Sequence, residues 1–313
     1  MSVASGDPSN TKTLRERQYR PDLTTRFDAV VRVLRETIGR NDALGLNESD
    51  LSDLSASLAE YDPEKFKPAD HFSGGDLARR DAFVNRLDYW LSEGVLEQMD
   101  PQDINVGKHF TGKYVRAAAS KGEGFAVSQL EQDGIDVPRT GDEAVASALD
   151  RPVRVQLLSR LYQRNYDYLE GITSDVSDDI ADELAKGAFR GENPLEVAAK
   201  LNGRVKGIGR WRAEVLARTE TLYAHNSTAV EVYDQWYDKD RELGYSIEGS
   251  NSNPNAAGSE QMEHITAGDS RVCAECRALE GRTMTIREVK NNPGEYMPPV
   301  CTHAQCRCTV VLA

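Results

Sequence analysis

Six residues near the C-terminal end could bind a metal: Cys273, Cys276, Cys301, His303, Cys306 and Cys308. Cys273 and Cys276 form C-x-x-C, a spacing that lets two thiolates leave one tight turn toward one tetrahedral ion. The second group, C-x-H-x-x-C-x-C, brings His303 27 positions after Cys276. All five cysteines lie between 273 and 308, and the first 272 residues hold none. An oxidised protein would spread its cysteines to staple loops, so this clustering points first to metal. The expected ligands are Cys273, Cys276, His303 and Cys306, with Cys308 the leading substitute for His303 or Cys306. Cys301 stands outside the more compact group. The expected cofactor is one structural zinc per chain. Such an ion supplies about 10–16 kcal/mol in small peptides, enough to hold a β unit that has little core. Two other readings stay open: reduced thiols packed as small hydrophobes, and a disulfide. A catalytic metal needs an open coordination position and a general base. Six soft ligands leave little reason for one, and no catalytic residue is assigned.

The elements that must position these residues can be read from periodicity. Phe27, Val30, Val31, Leu34 and Ile38 recur at helical spacing, predicting a helix over Leu23–Arg40. Further helices are expected at Asp76–Glu97, Ile104–Ser120, Gly124–Gln132, Glu143–Leu149, Val153–Glu170 and Asp175–Gly187. Pro194–Leu201 follows, with Asn193 as cap and Pro194 in the first helical position, and then a long helix over Gly209–Asp240. Residues 249–259 are crowded with Gly, Ser, Asn and Pro and read as a loop. Met262, His264 and Thr266 alternate with Glu263 and Ile265 as in a half-buried strand. Thr283–Ile286 and Thr309–Leu312 are further strand candidates, and Cys306 and Cys308 would share a face on a strand. His264 reads as a satisfied structural histidine; His71, His109 and His225 carry no motif. The expected class is α+β: a mostly helical N-terminal body and a long helix leading to a small, zinc-tied β unit. In domain terms this is a helical region over 1–150 and a second domain over 151–313, whose part 245–313 is β-containing and cysteine-rich.

A chain of 313 residues suits about two domains. Its start, MSVASGDPSN, lacks the basic-then-apolar pattern of a secretory signal, and no window approaches a membrane span. Neither secretion nor a membrane partner is expected. The net charge of −13 repels nucleic acid on average, so any DNA contact would need a local basic patch. The run Arg204, Lys206, Arg210, Arg212 forms no single stripe, because Arg212 projects about 200° from Arg210. It reads as a solvated helix start or a protein contact. The 38 basic residues comprise 27 Arg and 11 Lys, and this Arg-leaning acidic surface fits a halophilic host.

Combined, the motifs resemble the phage Mu F-like head morphogenesis family, the minor capsid proteins of tailed viruses. The marks are Ala217, Arg218, Thr219 and Glu220, then Ala224, His225 and Asn226 on the long helix. Asp269 precedes Cys273 and Cys276, Gly281 follows, and Pro298 and Pro299 precede His303, Cys306, Arg307 and Cys308. The departures are the inserted Val300–Thr302, with its extra Cys301, and His264 where an aromatic is expected. The resemblance covers Val153 to the end well. It implies a few-copy, non-enzymatic protein of the virion head, made in the host cytoplasm and placed near the portal. It also implies partners: the portal protein, the major capsid or scaffold protein, and packaged DNA. Arg218, Glu220, Asn226 and Asp269 are expected as structural anchors, the helix residues holding the C-terminal unit against the long helix. A zinc-stabilised nuclease using His264, Asn292 and His303 is the main alternative. Against it, three prolines and a glycine in Asn291–Pro299 oppose a compact helix after the hairpin. An ADP-ribosyltransferase would need a Glu-x-Glu pair, which the chain lacks. A generic zinc-ribbon that binds nucleic acid conflicts with the acidic charge.

Overall fold

A computed structural model describes residues 9–40, 83–85, 87–135, 137, 152–190, 192–242 and 261–313. The class is α+β: long helices, then a small antiparallel sheet beside a Cys/His cluster. Helix α1 (Lys12–Leu14) passes through a π-helical turn, Arg15–Tyr19, into α2 (Arg20–Leu34) and a second such turn, Arg35–Arg40. The apolar stripe read from the sequence, Phe27 to Ile38, is buried. The expected helix over 76–97 is described from residue 83, and it ends in a π-helical turn, Ser92–Leu96. The expected helix at 143–149 lies outside the described residues.

Several predicted boundaries move. Helix α3 (Pro101–Asn105), capped by Asp100, ends early because Gly107 turns left-handed at φ +75, and a Cβ there would sit 2.7 Å from the Tyr162 ring. Helix α4 (Gly112–Gln132) then runs unbroken through Gly122 and Gly124. Helices α5 (Pro152–Phe189) and α6 (Pro194–Glu242) each join two stretches expected to be separate. An interior glycine costs a helix only about 1 kcal/mol. Buried Leu169, Ile172, Val176 and Ile180 on α5, and Leu201, Val205, Ala213 and Leu216 on α6, outweigh that. The start of α6 is as read: Asn193 Oδ1 accepts from Glu196 N at 3.0 Å, and Glu196 reaches back to Asn193 N.

The chain divides into two compact units, both discontinuous in sequence. One gathers 21–98 and 167–213. There the basic run is not simply solvated: Arg204 pairs with Glu183 at 3.0 Å and Asp179 at 3.6 Å, and Arg212 pairs with Asp175. Gly209 lies against Phe27, where a Cβ would come within 2.8 Å of the ring.

The other unit gathers 1–20, 99–166 and 214–313. Its sheet has the order β2-β1-β3, from β1 (Gln261–Ile265), β2 (Thr283–Thr285) and β3 (Thr309–Leu312). Met262 pairs with both Met284 and Leu312, and His264 with Val310. One face of the sheet packs Met262, Met284 and Val310 onto Leu130 of α4 and Val230 and Tyr233 of α6. Gly122 lets α4 approach α6 closely, since a Cβ there would be 2.1 Å from the His225 carbonyl oxygen. Between Cys273 and the second cysteine group lie α7 (Ala274–Ala278), which carries Cys276, then α8 (Ile286–Asn291) and α9 (Pro293–Tyr296). The prolines and glycine of Asn291–Pro299 are expected to oppose a compact helix after the hairpin; α8 follows β2 directly and α9 lies inside that segment, which corrects the expectation. A Thr285/Glu288 capping box starts α8, and Pro293 takes the first position of α9, where its missing N–H costs nothing. Among the described residues no helix is long and apolar enough to cross a membrane.

Candidate metal centre

The first knuckle is a loop that ends in a helix cap. Cys273 has extended backbone and caps α7, its sulfur accepting from Cys276 N at 3.3 Å. This turns both thiols to one side. The turn before it is set by Asp269, whose carboxylate accepts from Arg271 N at 3.0 Å. The second knuckle folds through short local bonds. Cys306 N donates to His303 O at 3.0 Å, Gln305 N to His303 Nδ1 at 3.3 Å, and Cys308 N to Cys306 Sγ at 3.2 Å. Occupying Nδ1 in this way turns Nε2 toward the first knuckle.

Two ligand sets result, Cys273–Cys276–His303 and Cys276–Cys306–Cys308, each with its ligand atoms within 4.8 Å of one another. Cys276 belongs to both. His303 Nε2 lies 3.2 Å from Cys273 Sγ and 3.4 Å from Cys276 Sγ, and Cys276 Sγ lies 3.7 Å from Cys306 Sγ. Tetrahedral zinc with bonds of about 2.3 Å to sulfur and about 2.0 Å to nitrogen has edges of about 3.8 and 3.5 Å. The spacing therefore fits a metal of that size. Cys301 joins neither set, and burial pushes its thiol up to about 11. Cys306 and Cys308 share a side as expected, but from the loop before β3 and not from the strand itself.

Electrostatics agree with a cation. The Cys308 thiol, donating to Cys306, lowers Cys306 to about 6. Burial, then the Cys306 charge, pushes Cys276 up to about 12, and Cys308 is raised as well by its hydrogen bond to Cys306. The cluster accommodates one thiolate readily and resists the next. A divalent ion removes that resistance by displacing the thiol protons.

The knuckles are tied to α6. Arg218 Nη1 donates to Gln305 O at 3.3 Å and Nη2 to Glu214 at 2.9 Å, while the Thr219 hydroxyl donates to Ala304 O. Asn226 Nδ2 donates to Pro298 O at 2.8 Å, and its Oδ1 accepts from Thr309 Oγ1 at 2.6 Å. Asp269 holds Arg307 with two bonds, 2.6 and 2.7 Å. Glu220 is a correction. It anchors Arg164 of α5, at 3.1 and 3.2 Å, and not the C-terminal unit. Two residues along a helix turn about 200°, so Glu220 faces away from Arg218, and its carboxyl is raised by burial. Thr219 and Thr309 are contacts that motif reading passed over. Their signal was adjacency, one inside the Ala-Arg-Thr-Glu run and one beside Cys308.

His264 points inward and is 1% exposed, and neither ring nitrogen has a hydrogen-bond partner among the described residues. Burial lowers it to about 4. No family model, curated protein or solved structure matches this chain.

Proposed function

We propose that the chain is a minor head protein of a tailed virus, a structural part that sits near the portal and performs no catalysis. One observation carries this reading. Residues that resemble the Mu F-like pattern, from Arg218 to Cys308, meet in one set of contacts. Arg218, Thr219 and Asn226 on α6 hold the loop at Gln305, Ala304 and Pro298, while Asp269 holds Arg307. A motif with a catalytic purpose would gather its side chains around a substrate; these are spent on backbone carbonyls and on one another. In this reading Cys273, Cys276, His303 and Cys306 bind one structural zinc, with Cys308 as substitute ligand. The ion locks the terminal module, and the surfaces around it meet the portal, the major capsid or scaffold protein, and packaged DNA. Burial of His264 weighs against the nuclease alternative, because a base 1% exposed cannot reach a substrate.

Quantitative mass spectrometry of procapsids and virions of the encoding virus tests this. The expected result is a protein present in both and far scarcer than the major capsid protein. Absence from both particles would sink the proposal and favour a nuclease or nucleic-acid-binding module.

A further inference from the structure

Cys276 and Cys306 come from different knuckles, 30 positions apart, yet their sulfurs touch at 3.7 Å. Both are free thiols, as are the other three cysteines. A disulfide is about 2.05 Å long, so the two sulfurs would have to close by roughly 1.7 Å to bond. They are buried, but a small cleft of about 20 Å³ leads to them. Cys273, Cys276, His303, Cys306 and Cys308 all line it. It opens past Cys273, His303 and Gln305, which are half-buried. A water needs at least about 10–15 Å³, so small solutes of that class reach the thiols. Cys276 also occupies a special position, because it is the one thiol that both ligand sets share.

We propose that Cys276 and Cys306 are a site of oxidative modification, where an oxidant of the peroxide class joins them in a disulfide that replaces the ion as the clasp between the knuckles. The pairing of the thiols stands on their contact; only the displacement of the ion rests on the metal assignment under Proposed function. In the metal-bound protein both sulfurs are thiolates. One attacks the peroxide. Its sulfur takes an oxygen as sulfenic acid, the O–O bond breaks, and hydroxide leaves and picks up a proton. The other thiolate then attacks that sulfur. The S–S bond forms, the S–O bond breaks, and the second hydroxide also leaves as water. In total two thiolates, one peroxide and two protons give one disulfide and two waters; the sulfurs lose the two electrons that the peroxide gains. The ion leaves with its charge unchanged. Neither ligand set survives: the first keeps Cys273 and His303, and the second keeps Cys308 alone. The knuckles stay joined, because the new bond spans the same gap that the ion spanned.

The test is stepwise addition of hydrogen peroxide to the reduced, zinc-loaded full chain. A metallochromic dye reads released zinc, and mass spectrometry of non-reduced peptides reads cysteine pairing. The expected result is loss of the bound zinc in step with a Cys276–Cys306 linkage, reversed by dithiothreitol and added zinc. Cys301→Ser, outside both ligand sets, should respond as the parent does. Cys308→Ser should still form the linkage. The oxidised protein should melt above reduced protein stripped of zinc, since the cross-link constrains the unfolded chain. Protein that binds no zinc yet forms the linkage supports the modification site and refutes the metal assignment alone. A linkage between Cys273 and Cys276, or sulfinic acids without any disulfide, overturns the proposal. So does a linkage that leaves the zinc fully bound, or an oxidised protein that melts no higher than the stripped one.

Discussion

Asp269 and Arg307 face each other across the two knuckles as a two-pronged ion pair, 2.6 and 2.7 Å between oxygens and nitrogens. Arg307 stands between Cys306 and Cys308 in the chain, so the pair sets the path of the backbone that presents both thiols. Asp269→Asn should weaken metal binding by about tenfold, the lower end for groups that orient ligands. The Asp269 carboxyl lies below the usual carboxylate range, chiefly through its bonds with Arg307. Its stabilising effect is therefore present above the unfolded value of about 3.9 and is lost as pH falls through the folded value. Urea unfolding at several acidic pH values should show a shallower acid loss in Asp269→Asn than in the parent.

The ligand sets predict an order of damage. Cys276→Ser removes the thiol common to both sets and should leave well under one equivalent of zinc by elemental analysis. Cys273→Ser should act similarly, and Cys301→Ser should leave the content near one. Cys306→Ser and Cys308→Ser, made separately, distinguish ligand from spare. Reduced, folded protein with no metal, and melting unmoved by chelator, would refute the zinc assignment. Zinc content equal in all five variants would refute the ligand assignment alone.

His264 should make stability depend on pH near neutrality. The buried ring resists protonation down to about 4, while the unfolded chain takes up a proton near 6.5; Glu280 opposes this effect and Arg282 adds to it. Stability should fall as pH drops between those values, by up to about 3 kcal/mol. His264→Phe should flatten that stretch of the curve. An equally steep curve in the variant would exclude His264 as the cause.

Two neighbouring glycines on α4 should respond in opposite ways to alanine. At Gly122 a Cβ would be 2.1 Å from the His225 carbonyl oxygen, and at Gly124 nothing lies within 4 Å. Gly122→Ala should destabilise by about 1–3 kcal/mol through overpacking. Gly124→Ala should stabilise by about 0.5–1 kcal/mol through helix propensity. Thermal melts of the two variants make the comparison.

Asn226→Ala should leave the Pro298 carbonyl and the Thr309 hydroxyl without their partner, at about 1–3 kcal/mol for each group that stays dry. Hydrogen exchange should quicken in 298–312 more than in α5. Uniform quickening across the chain would argue against a local anchor.

Much of this was legible in the residues. The stripe Phe27–Ile38, the Asn193–Pro194 helix start and the strands near Met262, Met284 and Val310 are local patterns, and local patterns survive folding. The joined helices were not legible. Whether Gly171, Gly203 or Gly209 ends a helix depends on whether a packing face continues beyond it, and for Gly209 that face is Phe27, more than 180 positions away in sequence. The state of His264 was hidden for a similar reason. Alternation places a histidine inward but does not say whether a partner waits there.

The sequence by itself determined the α+β class, the two cysteine knuckles and the helix residues that answer them, because spacing along a chain constrains which side chains can share a turn. Only the tertiary structure decided that Cys276 is the hinge between two ligand sets, that its sulfur meets that of Cys306, and that Glu220 turns to Arg164. Each of those outcomes depends on segments far apart in the chain being brought together, and neither charge nor periodicity along the chain records which distant segment arrives.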